Sequence, residues 1–222
     1  NKIDNNNAEL NWTTPGEVGP YTLTIEVSDG RGGADSRSIE MNFIELPEGV
    51  DLEEVSRQRL YVVPEETGIV ATNVDWGASG PIYVGDDEFD RYLNGYISFD
   101  ILILAGVEVV SATLTMDIER ESGDRSYLGH LRIGTLDYGT GPLNRADGDI
   151  PAEMLVQFPN SITDINYSGD ELANALQDRI DAESNRFQLK VYWSHPSTDE
   201  DGEQDALVYQ RDGTYLIVQY SE

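Results

Sequence analysis

Residues 91–116, RYLNGYISFDILILAGVEVVSATLTM, alternate apolar and polar positions on either side of an Ala-Gly turn. In the first half Ile97, Phe99, Ile101 and Ile103 fall on one face while Ser98 and Asp100 fall on the other. In the second, Val110, Ala112, Leu114, Met116 and Ile118 share a face. A period of two predicts a half-buried antiparallel hairpin with these apolar faces inward. Similar short runs predict strands at 57–64, 68–76, 81–85, 154–159, 162–167, 187–193 and 214–220, and a strand pair within 126–138. Residues 168–182 break the pattern: Leu172, Leu176 and Ile180 repeat at helical spacing, and Ser168 with Glu171 predicts a capping box. Near the N-terminus two alternating strands, 21–28 and 35–44, flank the turn Asp29-Gly-Arg-Gly-Gly33, which is strong hairpin chemistry.

Many short strands around one helix predict an all-β chain, a jelly-roll-like β-sandwich with one inserted helix at about 168–182, preceded by part of a second sandwich. The motif "fiSFDi", a turn, then "v.SAtLtm" resembles the DNRLRE-type domain, a β-sandwich module of secreted and surface proteins grouped with carbohydrate-binding modules. The likeness extends over about 57–222. The run from Trp12 through Pro15, Gly16, Gly19 and Tyr21 to the SDGRGG turn resembles the C-terminal half of an immunoglobulin-like domain of the polycystic-kidney-disease type. The expected organisation is therefore a partial immunoglobulin-like domain at 1–45, an acidic linker at 46–56 and the jelly-roll module at 57–222. Three strands cannot complete a sandwich of about seven, so the N-terminal segment is expected to find cover upstream or in a neighbouring copy of the chain. Asn1 opens on NKIDNNNAEL, without charged leader or apolar core, which predicts that any targeting signal lies upstream. The resemblances imply an extracellular or cell-surface protein.

Charge narrows the partners. Against 42 Asp and Glu stand 14 Lys and Arg, a net charge of −28. Such a field repels nucleic-acid phosphates and anionic lipid and attracts cations. No run of 18 apolar residues exists to span a membrane. Cysteine is absent, which removes disulfides and thiolate sites. No HExxH, GxSxG, P-loop or dinucleotide fingerprint occurs, and the two histidines, His130 beside Gly129 between strands and His195 before Pro196 at a strand end, are expected to be satisfied or exposed, so no catalytic residues are assigned and the chain is read as non-enzymatic, at most a module appended to a carbohydrate-active enzyme.

Two acidic loops carry candidate metal chemistry. Asp199, Asp201, Glu203 and Asp205 alternate around Gly202, and Asp86, Asp87, Glu88 and Asp90 precede the 91–116 segment. Convergent carboxylates with a glycine for the sharp turn suit Ca²⁺, which takes six to eight oxygens, and the second loop is expected to cap the same end of the sandwich as the first. Asp147 and Asp149, flanking Gly148, form a weaker third loop. Sugar-binding modules stack flat aromatic rings on pyranose faces. Trp193 shares a face with Phe187, Leu189 and Val191 and is expected in the core, whereas Tyr192 points the other way with Gln188 and Lys190. Trp76 and Tyr92, both expected in loops, complete the candidate ligand contacts. The expected function is non-catalytic binding of polysaccharide or glycoprotein glycans, or adhesion, with structural Ca²⁺. The alternative is a structural subunit of a surface layer or filament that assembles with copies of itself through its N-terminal strands.

Overall fold

The computed structural model describes residues 19–28, 34–43 and 55–221. The chain divides into two compact units, Asn1–Asp51 and Leu52–Glu222. In the first, β1 (Gly19–Ser28) and β2 (Ala34–Phe43) pair antiparallel, from Gly19 opposite Phe43 to Ser28 opposite Ala34. This is the hairpin that alternation predicts. The 29–33 turn, the residues around Trp12 and most of the expected linker lie outside the described residues.

In the second unit the chain order is β3 (Ser56–Tyr61), β4 (Gly68–Ala71), β5 (Trp76–Ser79), β6 (Ile82–Asp86), β7 (Tyr92–Asp100), β8 (Glu108–Glu121), β9 (Leu131–Leu136), β10 (Glu153–Phe158), β11 (Ile165–Ser168), α1 (Asp170–Asp181), β12 (Arg186–Trp193) and β13 (Asp205–Ser221). All strands join one curled antiparallel sheet in the order β10-β9-β12-β7-β6-β13-β8-β11, with β3 beside β13 and β4 linking β5 to β7. The expected all-β fold with a single inserted helix is observed. Alternation explains the curl: Ile97 and Phe99 of β7, Leu189 and Val191 of β12, Leu114 and Met116 of β8, and Leu216 and Val218 of β13 are all buried in one apolar cluster. The 17-residue β13 carries β6 along its first half and β3 along its second, while β8 lines its other edge. Leu172, Leu176 and Ile180 of α1 are buried in the same cluster, as their spacing predicts. No helix among the described residues is long and apolar enough to cross a membrane.

Several local expectations are corrected. Strands β7 and β8 do not form a hairpin. β7 pairs with β12, β4 and β6, whereas β8 pairs with β13 and β11. A 3₁₀ turn over Leu102–Leu104 breaks the period of two, so Leu104 is buried while Ile103 is 62% exposed. Val110 is exposed as well. β7 is covered on both faces: Asn94 and Ser98 are buried, and Tyr96 joins a smaller apolar cluster with Val70, Leu136 and Leu143. The run 68–76 is not one strand, because the chain turns after Ala71 and returns as β5 with Trp76 opposite Ala71. The region 126–138 holds one strand, β9, after a 3₁₀ turn over Ser126–Leu128. Helix α1 has no Ser168 capping box. Ser168 ends β11, Gly169 occupies the N-cap, and Glu171 instead accepts from the Tyr167 hydroxyl at 3.3 Å.

Candidate functional site: an acidic pocket beside an aromatic cleft

The two acidic loops, separate in sequence, meet where β6 ends and β13 begins. Asp86, the last residue of β6, stands opposite Asp205, the first of β13. Positive φ at Glu200 (61°) and Gly202 (72°) folds the intervening loop back on itself. Asp199, Asp201 and Asp205 each bring a carboxylate oxygen within 4.8 Å of the others. The Asp199 N–H donates to Asp86 Oδ2 at 3.3 Å, and the Glu203 N–H donates to Asp201 Oδ1 at 2.7 Å. The Tyr127 hydroxyl lies 3.0 Å from Asp205 Oδ2 and 3.5 Å from Asp86 Oδ2. Its single proton serves only one of them. Asp86 is fully buried, and its Oδ1 has no hydrogen-bond partner. Desolvation, with the negative charges of Asp90, Asp199 and Asp87, pushes its carboxyl up to about 6. Burial and the neighbouring Asp201 and Asp205 also raise Asp199. The donor set is oxygen only, which suits a hard divalent cation such as Ca²⁺.

Asp87, Asp90 and Glu203 stand outside the three carboxylates that converge, as does Asp86, which adjoins them through the Asp199 N–H. The carboxylate of Asp87 is consumed locally, accepting from the Phe89 and Arg91 N–H groups at 3.0 Å each and from Arg91 Nε at 2.7 Å. Asp90 Oδ1 accepts from the Gly202 N–H at 3.4 Å, a tie between the two loops. Glu203 is exposed and stands outside the carboxylate group. In the third acidic loop Asp147 closes a capping box with Asn144, and Asp149 pairs with Arg145 at 2.8 Å.

Beside the pocket lies a cleft of about 350 Å³ whose walls include Trp76, Phe89, Arg91, Tyr83, Arg120 and Gln204. Trp76 opens β5 rather than standing in a loop and is half-buried. The Arg91 guanidinium lies 4.5 Å from the Trp76 ring centroid and 4.9 Å from that of Phe89, so one cation spaces two aromatic rings. Asp87 in turn holds Arg91, which links the ring positions to the acidic loop. Phe89 remains 66% exposed. Arg120 Nη2 donates to the Tyr83 hydroxyl at 3.4 Å and makes no salt bridge among the described residues. Sequence reasoning missed Phe89, Arg91 and Tyr127. The available signal was a bare phenylalanine inside an acidic loop, where core packing does not call for one.

The other two aromatic candidates are placed differently. Tyr92 is the first residue of β7 and only 4% exposed. Its hydroxyl accepts from the Trp193 N–H at 3.0 Å and lies 3.2 Å from the Trp193 carbonyl, so it is committed to β12. Trp193 is buried, as alternation predicts, with Nε1 donating to the Val84 carbonyl. Tyr192 is half-buried and lines a cavity separate from the Trp76 cleft, together with Tyr92, Lys190 and Asn94. Gln188, expected to face outward with it, is buried and bonds Ser98 and the Gly139 carbonyl.

No protein-family model matches the chain, and no curated protein matches it. The two resemblances read from the sequence therefore rest on their own motifs. Among solved structures, the chain is similar to one of Clostridium perfringens ZmpB, comprising the M60 catalytic domain with the CBM51-1 and CBM51-2 domains. The identity is 12% and the TM-score 0.26, over 94% of this chain and 19% of that one. It is also similar to a structure of carbohydrate-binding modules from the β-sandwich superfamily, described as promiscuous in specificity. Here identity is 10% and TM-score 0.14, over 93% of this chain and 69% of that one. The chain thus spans about a fifth of the ZmpB structure. At these TM-scores the likenesses carry no argument about its chemistry, which rests on the residues themselves.

Proposed function

We propose that this chain is a non-catalytic extracellular module that binds glycan in the cleft between Trp76 and Phe89, with Ca²⁺ holding the adjoining loops. The observation that carries this reading is Phe89. Its ring is 66% in solvent and lines one cleft with Trp76, the Arg91 guanidinium lying 4.9 Å from its centroid and 4.5 Å from that of Trp76, so two aromatic rings flank a single recess. A pyranose ring presents a flat C–H face to such a surface and hydroxyls at its edge. The Tyr83 hydroxyl, Arg120 and Gln204 supply donors and acceptors around the rings. Polysaccharides or glycoprotein glycans at a cell surface are the partners of this chemistry, and adhesion is its consequence. The test is a microarray of immobilised neutral and acidic glycans probed with the full chain. Retention on a defined subset, lost in Trp76→Ala, supports the reading. Equal retention of wild type and Trp76→Ala on every glycan contradicts it.

A further inference from the structure

The segment 86–91 belongs to two sites at once. Its first residue, Asp86, sits in the acidic pocket, and its last, Arg91, spaces the rings of the cleft. Asp87 makes the segment rigid by gathering the N–H groups of Phe89 and Arg91, and Asp90 ties it to Gly202 of the facing loop. The facing loop also reaches both sites: Asp199, Asp201 and Asp205 stand in the pocket while Gln204 lines the cleft. Anything that moves these loops apart therefore changes both.

The pocket is short of positive charge. Three carboxylates, those of Asp199, Asp201 and Asp205, converge on it, Asp86 adjoins them by accepting from the Asp199 N–H, and no salt bridge among the described residues reaches any of the four. Arg91 is held by Asp87, and Arg125 pairs with Glu121. Tyr127 has one proton for two carboxylates, and the buried Asp86 Oδ1 has no partner at all. A buried anionic oxygen beside three further carboxylates is costly without a counter-charge. Oxygen-only ligands from an irregular loop favour Ca²⁺ over Mg²⁺, which demands near-octahedral geometry.

We infer that one Ca²⁺ bound by Asp86, Asp199, Asp201 and Asp205 clamps the two loops together, and that this clamp switches the neighbouring cleft into its ligand-binding form. The switch rests on the reading of the cleft as a glycan site; the cation site does not. Linkage requires that ligand raise cation affinity by the same factor by which cation raises ligand affinity, typically about 5–150-fold.

The experiment has two stages, both on the full chain stripped with chelator. In the first, calcium chloride is titrated to about 10 mM, a range that covers extracellular calcium modules, with heat and tryptophan fluorescence recorded. One saturable site is expected, with a fluorescence change that disappears in Trp76→Phe. Asp201→Asn, an exposed substitution that leaves the core intact, is expected to weaken binding at least about tenfold, and Asp86→Asn to weaken it further. Absence of saturable binding overturns the inference, as does binding that both variants leave unchanged or that leaves Trp76 silent. In the second stage, migration through gels containing a glycan retained in the array is compared with calcium and with chelator. Retardation only with calcium supports the switch. Equal retardation under both conditions overturns the switch and leaves the glycan reading standing, whereas calcium binding without retardation by any glycan overturns the glycan reading and leaves the cation site standing.

Discussion

Asp86 and Asp205 face each other across β6 and β13, and the Tyr127 hydroxyl lies against both carboxylates. The backbone permits this approach because position 123 has no side chain. A Cβ on Gly123 would fall 1.6 Å from Asp205 Oδ1, and its φ of 64° is one that side chains rarely adopt. Gly123→Ala must therefore push the Asp205 carboxylate out of the pocket. We expect a loss of about 1–2 kcal/mol in stability from the strained backbone, together with weakened calcium affinity. Calcium-dependent thermal melting checks both. Wild type at a hundred times the dissociation constant gains about 2.7 kcal/mol, or about 5–10 °C at this domain size, and the variant gains less. An unchanged calcium-induced shift in Gly123→Ala would place the cation elsewhere.

Tyr92→Phe separates core from site. The substitution removes an acceptor from the buried Trp193 N–H without changing the shape of the ring. An orphaned buried N–H costs about 1–3 kcal/mol. Denaturant unfolding should show that loss, while retention on the glycan array stays at the wild-type level. Loss of retention with unchanged stability would return Tyr92 to the ligand contacts.

A second buried charge centre predicts acid sensitivity of its own. Glu66 is 4% exposed. It accepts from Ser98 Oγ at 2.7 Å and from Arg186 Nε at 2.8 Å and Nη2 at 3.2 Å. Desolvation raises its pKa, but the hydrogen bonds from Arg186 and Ser98 and the Arg186 charge together outweigh it, and the net shift is downward. A carboxyl depressed on folding contributes stability that is fully present above its unfolded value, about 4.3. That contribution is lost as pH falls through the lower folded value. Glu66→Gln should cost about 3 kcal/mol at neutral pH, the low end for a broken buried pair because Arg186 keeps 19% of its side chain in water. Below pH 4 the gap between wild type and variant should narrow. Parallel stability curves from pH 7 to 3 would contradict this.

What the sequence disclosed follows from the range of the forces involved. Alternation is local, so it placed β1, β2, β3, β6, β12 and the burial of Leu114, Met116 and Trp193. Pairing is not local. Nothing within 91–116 reveals that β6 and β13 stand between β7 and β8. Nor does period two reveal that the polar face of β7 is itself covered, with Ser98 taken up by Glu66. The acidic loops were legible as clusters because carboxylates were dense there. Which of them converge depends on the β6–β13 register, which brought Asp86 in while Arg91 drew Asp87 away. Trp76 is legible as an aromatic outside the core pattern; its pairing with Phe89 is not, because only the fold brings Arg91 against both rings.

The most direct test of the cleft is affinity electrophoresis of wild type and Phe89→Ala in calcium, in gels containing a glycan selected on the array. Phe89 is exposed, so its truncation should change stability by no more than about 0.5 kcal/mol, and any binding loss reports contact rather than unfolding. The account predicts retardation of wild type and an affinity reduced about tenfold, or about 1.4 kcal/mol, in Phe89→Ala. Identical retardation of the two proteins would contradict it.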